Sequence, residues 1–360
     1  MAKKIRVGVI GIGNCFAGLI QGIEYYKKQK DKKPIGLMHP KIGSYDFKSI
    51  EFVSAFDVGA NKIGRTLNKA VFASPNLVKW TKLPKSKVVV KESPVLDGVG
   101  IYVENRIKPL KNPTPLEKLK REIEKEVKRT KTEVLVNYLP VGSQKATEFW
   151  AEMALKTKTG FVNCLPAFIA SNEKWAEKFK KARVPIIGDD IKSQIGATIV
   201  HRVLARLCDE RGATIDKTYQ INIGGNTDFL NMLERTRLES KKISKTEAVM
   251  SQIKKDIKSD KVYIGPSDFI PFLGNTKLAF MRIEGKMFAE IPYSIELRLD
   301  VDDKANSGGI VIDAIRCAKL AQDRKMGGYI PVSSYFMKRP LVQLSDDKAR
   351  KIVEEFIAGK

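Results

Sequence analysis

Histidine is almost missing from this chain: there are two, His39 and His201, in 360 residues. Cysteine is scarce as well, with four at positions 15, 164, 208 and 317 and no C-x-x-C spacing. That inventory does not suit a His/Cys metal cluster, and the scattered thiols read as reduced cysteines of a cytosolic enzyme. His201 follows Ala197-Thr198-Ile199-Val200 on an expected helix and reads as structural. No run is long and apolar enough to span a membrane. Met1-Ala2-Lys3-Lys4 passes directly into an apolar run, which leaves no room for a cleaved leader, so the expected location is the cytoplasm. Repeats, low-complexity tracts and long flexible linkers are also lacking. Acidic residues are in deficit: 41 Asp and Glu face 65 Lys and Arg, for a net charge of +24. Nucleic acid is the obvious partner for such a balance. Yet the excess is spread along the chain, without a basic tail or a nucleic-acid motif. Lys and Glu alternate along 116–131 as on a solvated helix face, and high Lys/Glu content also suits a thermophile. The expectation is therefore no nucleic acid and no membrane partner, with a minority of the cations gathered at an anion site.

What the chain does have begins at residue 5. The apolar run Ile5–Ile10 enters a glycine turn, Gly11-Ile12-Gly13-Asn14-Cys15, and a helical pattern follows through Leu19, Ile20 and Ile23. Strand, glycine turn and helix open a dinucleotide-binding βαβ unit, in which backbone N–H groups and a helix N-terminus face a pyrophosphate. The third glycine of the simple motif falls on Phe16; Ala17 or Gly18 would serve in a longer turn. The acid that binds the ribose hydroxyls is expected about 20 residues on, but a lysine-rich stretch, 27–49, intervenes as an insertion. The next strand, Ile50–Asp57, ends in Asp57, which is expected to take that role and to favour NAD over NADP, although it would also serve as a plain cap of the next helix.

At 360 residues the chain can hold two substantial cores. Alternating strand and helix patterns over the first half predict a parallel sheet. Val88–Val90 reads as a strand edge. Thr114-Pro115-Leu116-Glu117 reads as a capping box opening a helix with Leu116, Leu119, Ile123 and Val127 on one face. Polar residues recur at strand ends: Asn137, Asn163, Asp189 and Asp190. Ligands in open α/β sheets lie beyond those ends, although each residue would also serve as a plain helix cap. After a helix over about 194–210 the texture changes. Thr218–Gly224, Lys277–Glu284 and Ser294–Val301 read as antiparallel strands, with a basic helix over 231–258 between them, and Ile310–Gln322 returns to the first domain. The fold class expected is α/β: a Rossmann-type, doubly wound parallel sheet with an inserted α+β catalytic and oligomerisation domain. Residues 1–195 plus 305–360 form the first part and 196–304 the second.

The second half places lysines in unusual company. Lys241 and Lys245 stand at i, i+4 on one helix face, where like charges repel by a few tenths of a kcal/mol and a bound anion would offset the cost. Lys277 opens a strand, and Lys338 ends Ser333-Ser334-Tyr335-Phe336-Met337. Composition alone does not lift these four above other surface lysines. Their surroundings do: Gly188-Asp189-Asp190-Ile191-Lys192-Ser193, Gly224-Gly225-Asn226-Thr227-Asp228-Phe229-Leu230-Asn231, Ser240–Lys245, Ser333–Lys338, Asn137–Ser143 and the Gly11–Cys15 loop occur in one order. In that order they resemble the motifs of the myo-inositol-phosphate synthases, most closely the short prokaryotic branch, over about residues 5–340. The long gap before Asp57 also matches that family.

The resemblance implies a redox-neutral isomerisation of D-glucose 6-phosphate to 1L-myo-inositol 1-phosphate. Tightly held NAD takes hydride from C5, the ketone acidifies C6, C6 closes on the C1 aldehyde, and the hydride returns. The substrate phosphate is a candidate base at C6. It implies Lys241 as acceptor of the C5 hydroxyl proton, Lys338 at the C5 oxygen, Lys277 on the C1 aldehyde, Lys245 at the phosphate and oxyanions, and Asp303 as an acid near the nicotinamide. Asn226, Asp228, Lys192 and Ser193 are implied to bind substrate. Gly11, Gly13, Asn14, Cys15, Asp57, Asn137 and Asp190 are implied to bind cofactor. Some members of that family use a divalent or monovalent cation, which would need oxygen ligands here, Asp303 among them. A homotetramer is implied through the inserted domain's sheet. The competing readings are an ordinary NAD-dependent dehydrogenase of a phosphorylated sugar and, further off, a basic nucleic-acid-binding protein.

Overall fold

The computed structural model describes residues 3–29, 34–253 and 257–360. Met1, Ala2, residues 30–33 of the expected insertion and 254–256 of the expected basic helix lie outside them. In chain order the elements are β1 (Ile5–Ile10), α1 (Asn14–Lys28), β2 (Ile50–Asp57), α2 (Leu67–Ala70), β3 (Lys91–Glu92), α3 (Leu116–Arg129), β4 (Val134–Asn137), α4 (Gln144–Thr157), β5 (Gly160–Asn163), α5 (Glu173–Ala182) and β6 (Pro185–Ile187). Next come α6 (Ala197–Glu210), β7 (Lys217–Gly224), α7 (Thr227–Asn231), α8 (Glu239–Met250), β8 (Val262–Phe269), β9 (Thr276–Lys286) and β10 (Pro292–Asp302). The chain closes with α9 (Ala305–Asp323), β11 (Gly328–Tyr329), α10 (Ser333–Phe336) and α11 (Asp346–Ala358).

The first sheet has seven parallel strands in the order β3-β2-β1-β4-β5-β6-β11. Strand period decides its two faces. Val134, Val136, Val162 and Ile187 pack with α1 and α9, whereas Leu135, Phe161 and Ile186 pack with α3, α4 and α5. Both faces are covered, which is why these strands read as nearly continuous apolar runs. The order reverses between β1 and β4, so the crevice at their carboxyl ends is the natural ligand site. The expected α/β architecture is therefore present.

The second sheet has the order β10-β9-β7-β8, antiparallel except for the parallel β7–β8 pair. Ala279, Met281 and Ile283 are buried on one face and contribute to the small cores beneath α6 and α8. Tyr219, Ile221, Ile223, Leu278 and Phe280 lie half-buried on the other. Strand β8 was not expected. Gly265 and Pro266 interrupt its apolar pattern, and an edge strand tolerates a missing N–H.

Three local readings differ. The expected capping box does not form: Thr114 gives its hydroxyl to Glu92 Oε2 (2.7 Å) and its N–H to Glu92 Oε1 (3.0 Å), and the helix starts at Leu116 with Pro115 before it. A carboxylate outcompetes the local backbone as acceptor. The strand edge at 88–90 becomes a bridge at Val89, with β3 following it. The basic helix shortens to α8, preceded by α7 and a 3₁₀ turn over Arg235–Leu238.

His201 is fully buried on α6, its Nε2 2.7 Å from the Thr218 hydroxyl, which itself donates to the Arg282 carbonyl. Nε2 is therefore the donor. Burial pushes the imidazole pKa down to about 4. The neutral form is favoured in the fold, so the unfolded chain binds more protons between pH 6.5 and 4. The stability contribution is present above pH 6.5 and is lost on acidification, by up to about 3 kcal/mol. His201→Gln is expected to flatten the fall in unfolding free energy between pH 6.5 and 4, measured by urea titration; an unchanged slope would remove His201 from that role.

Candidate active site

One cleft lies where the carboxyl ends of the parallel sheet meet one end of the second sheet. Its two ends are built differently.

At the first end, β1 runs out into Gly11, which has φ +85° and whose added Cβ would stand 2.8 Å from the Tyr138 carbonyl. Only glycine fits that turn. A Cβ at Gly13 would meet nothing within 4 Å, so the backbone there borders open space at the N-terminus of α1. Asp57, at the end of β2, accepts the Ile12 N–H (2.6 Å) and the Gly59 N–H (2.7 Å), with Lys62 Nζ 3.6 Å away. The buried Tyr138 hydroxyl has no hydrogen-bond partner among the described residues. An open glycine cradle, a helix N-terminus, an acid at the end of β2 and an orphaned hydroxyl suit a dinucleotide. Gly11, Gly13, Asn14, Cys15 and Asp57 all line this end. Burial raises the Cys15 thiol pKa and leaves no ready thiolate.

At the other end, backbone pairing delivers the charged groups. The segments 189–192 and 336–339 exchange main-chain hydrogen bonds, including Lys338 N–H to the Asp190 carbonyl (2.7 Å). Lys338 Nζ thereby reaches Asp190 Oδ1 (2.9 Å) and the Ile191 carbonyl (2.7 Å). In the second sheet Gly224 and Val301 flank Lys277 across strands, and Asp303 N–H bonds the Asn275 carbonyl. This register sets Lys277 Nζ 3.7 Å from Asp303 Oδ1, and Asn226 Nδ2 3.2 Å from Asp303 Oδ2. One face of α8 adds Lys241, 3.3 Å from Asp228, along with Lys245 and Ser244, whose hydroxyl donates to Asp190 Oδ2 (2.7 Å). Lys304, unforeseen in the sequence, binds Asp303 Oδ2 at 2.7 Å. Its position directly after Asp303 is the one signal the sequence carries for it.

The electrostatics divide these lysines. Burial opposes charge on Lys241, but Asp228, Asp190 and Asp303 outweigh it and raise the pKa. Burial, with Lys277, Lys241 and Lys338 adding to it, pushes Lys245 well below the ordinary lysine value. Burial also lowers Lys277, against the pull of Asp303. Burial alone would raise the carboxyl pKa of Asp303, but Lys304, Lys277 and Lys241 drive it far below the usual range. Five lysines (Lys241, Lys245, Lys277, Lys304, Lys338) thus face three aspartates (Asp190, Asp228, Asp303), an excess of two cations when all are protonated.

Two expected residues stand behind the cleft wall. Asn137 donates to the Asn163 side chain (3.1 Å), and Asn163 donates in turn to Asp189 Oδ1 (2.7 Å), a buried chain across the ends of β4, β5 and β6. Asp189 also collects the N–H groups of Ile169, Ala170 and Ser171. Lys192 is buried, donates to the Ser334 carbonyl (2.9 Å) and lies 3.5 Å from Asp346; burial and Arg202 push its pKa down to about 7 against the pull of Asp346. Both support the walls; neither belongs to the lining. Ser193, Asn226, Asp228 and Asp190 do line the cleft. No described helix is long and apolar enough to cross a membrane.

An inorganic cation fits this site poorly. Each carboxylate at the sugar end already holds a lysine, and among the described residues no three His, Cys, Asp or Glu side chains form a metal-binding group.

Comparison with known proteins agrees with the geometry. The chain is 50% identical to the inositol-3-phosphate synthase of Mycobacterium tuberculosis (strain H37Rv), over 99% of this chain and 97% of that protein. It is 49% identical to that of Corynebacterium glutamicum, over 99% and 98%. The fold matches a solved myo-inositol-1-phosphate synthase-related protein from Thermotoga maritima with a TM-score of 0.82 at 23% identity, covering 99% of this chain and 98% of that one. Residues 196–304, which contribute Lys241, Lys245, Lys277 and Lys304, match the family described as myo-inositol-1-phosphate synthase. The chain belongs to the myo-inositol-1-phosphate synthase family.

Proposed function

We propose that the protein cyclises D-glucose 6-phosphate to 1L-myo-inositol 1-phosphate, with NAD in the glycine-lined end of the cleft and the sugar phosphate among the lysines. The observation that carries this reading is the convergence of five lysines on three aspartates in a buried cleft, a surplus of cationic groups that a phosphate monoester complements. Gly11, Gly13, Asn14 and Cys15 would border the pyrophosphate and Asp57 the ribose, with Asp190 at the junction and Asn137 bracing the wall. Bound NAD would supply a reversible hydride acceptor, so the reaction ends with no net redox change.

The chain's own groups then divide the work. Lys241 and Lys338, each beside an aspartate, are fixed positive charges for oxyanions that form on the sugar. The proton-acceptor role implied for Lys241 suits it poorly, because an amine held as ammonium by Asp228 takes up no further proton. Lys277, whose pKa is lowered, is the better group to take the C5 hydroxyl proton and return one to the C1 oxygen. Lys245 receives the phosphate, with Asn226, Asp228 and Ser193 orienting the sugar. We further propose that residues 1–195 plus 305–360 hold the cofactor while 196–304 supply catalytic and assembly surfaces. The half-exposed face with Ile221, Ile223 and Phe280 would be covered by another copy in a cytoplasmic homotetramer, which light scattering on the purified protein tests.

The decisive assay is phosphorus NMR on glucose 6-phosphate with NAD. An inositol monophosphate should form with no net NADH absorbance; stoichiometric NADH would instead establish the dehydrogenase reading. Lys277→Ala should lower kcat by about 10²–10⁴ with the thermal midpoint little changed, and near-normal turnover would exclude Lys277 from proton transfer. Phosphate binding should also relieve the depressed pKa of Lys245. Between the free and bound values the complex holds more proton, so binding of glucose 6-phosphate at mildly alkaline pH should take up protons, about one at most. Titration calorimetry in buffers of different ionisation enthalpy measures this uptake, which Lys245→Met should abolish.

A further inference from the structure

The acids in the cleft are arranged around an ammonium. Lys304 caps α9 directly after Asp303, and its Nζ sits 2.7 Å from Asp303 Oδ2 with the side chain 4% exposed. Among the described residues that carboxylate is the one hydrogen-bond acceptor found for Nζ, so two of its three donors are left for a bound oxyanion. Lys304 lines the cleft together with Cys15 of the glycine loop and Asp228 of the sugar end, which puts it where the two ends meet. The backbone is shaped for this placement: a Cβ on Gly18 of α1 would lie 3.2 Å from the Lys304 carbonyl, so the glycine lets α1 and the β10–α9 junction close together. A divalent ion at Asp303 would have to displace Lys304 and Lys277 or sit against both, and hard cations need about six oxygen ligands.

We propose that the Lys304 ammonium is the resident cation of this site, spanning the cofactor and sugar-phosphate subsites, and that the protein binds NAD and turns over without a metal ion. The proposal rests on the cyclisation reading for its activity arm and on dinucleotide binding alone for its binding arm. A tethered cation cannot be removed by chelation and carries one positive charge, enough to face a pyrophosphate oxygen or a developing alkoxide without immobilising it.

The test uses the full-length protein, stripped of metal by EDTA and gel filtration. Stripped wild type should keep its Kd for NAD and its rate of inositol phosphate formation within twofold, with or without added Mg²⁺ or Zn²⁺. Lys304→Met should weaken NAD at least tenfold by calorimetry and lower kcat at least a hundredfold. Lys304→Ser, which opens the space, should recover part of the rate with ammonium or Mg²⁺. A tenfold loss on stripping wild type that Mg²⁺ or Zn²⁺ reverses would overturn the proposal, as would a Lys304→Met variant with wild-type NAD affinity. If Lys304→Met does not fold, stripped wild type and Lys304→Ser still decide the matter. If no inositol phosphate forms at all, the NAD titrations still judge Lys304 while the cyclisation reading falls separately.

Discussion

Positive charge in excess of negative charge, held out of water, is the constraint on which the rest of this structure depends. Lysines rarely go inside unless paired, yet five of them meet three aspartates at one end of the cleft. The cost is contained by distributing the acids: Asp190 beside Lys338, Asp228 beside Lys241, Asp303 between Lys277 and Lys304. The balance left over suits an anionic substrate, and it costs stability until that anion arrives. Such a site trades stability for readiness to act, as is common where function requires strained electrostatics.

Two sheets are needed to hold that arrangement. The parallel sheet fixes Asp190 through the main-chain pairing of 189–192 with 336–339, and behind it the Asn137–Asn163–Asp189 chain ties three strand ends together. The second sheet fixes Lys277 and Asp303 by register: Lys277 opens β9 opposite the end of β10, so one slip would send the lysine to the other face. Helix α8 then lies across the join with Ser244 on Asp190 and Lys241 on Asp228. Rigid elements therefore carry the charges, and preorganised charge is what stabilises transient oxyanions in a water-poor site.

Much of this is legible in the sequence. Periodicity and glycine chemistry are local, so the β1–turn–α1 unit, the parallel sheet and Asp57 at a strand end could be read from residue types. The acids and lysines of the site were legible only through their ordered resemblance to a family, because an isolated lysine looks like any surface lysine. What escaped has physical causes. Strand β8 is broken in pattern by Gly265 and Pro266. The Thr114 cap was diverted by Glu92, a partner 22 residues away. Lys192 carries the right motif but spends its ammonium on Ser334 and Asp346 behind the wall.

The sequence by itself determined the fold class, the glycine turn, the apolar faces and the identity of the charges, since these follow from side-chain chemistry and short-range spacing. Only the tertiary structure decided which lysine is paired with an aspartate in the cleft, which lines it without such a partner and which is buried behind its wall. Those properties depend on burial and on partners brought from far along the chain, as Asp190 is brought to Lys338 across 148 positions. A side chain's pKa belongs to its surroundings, and the surroundings exist only once the chain has folded.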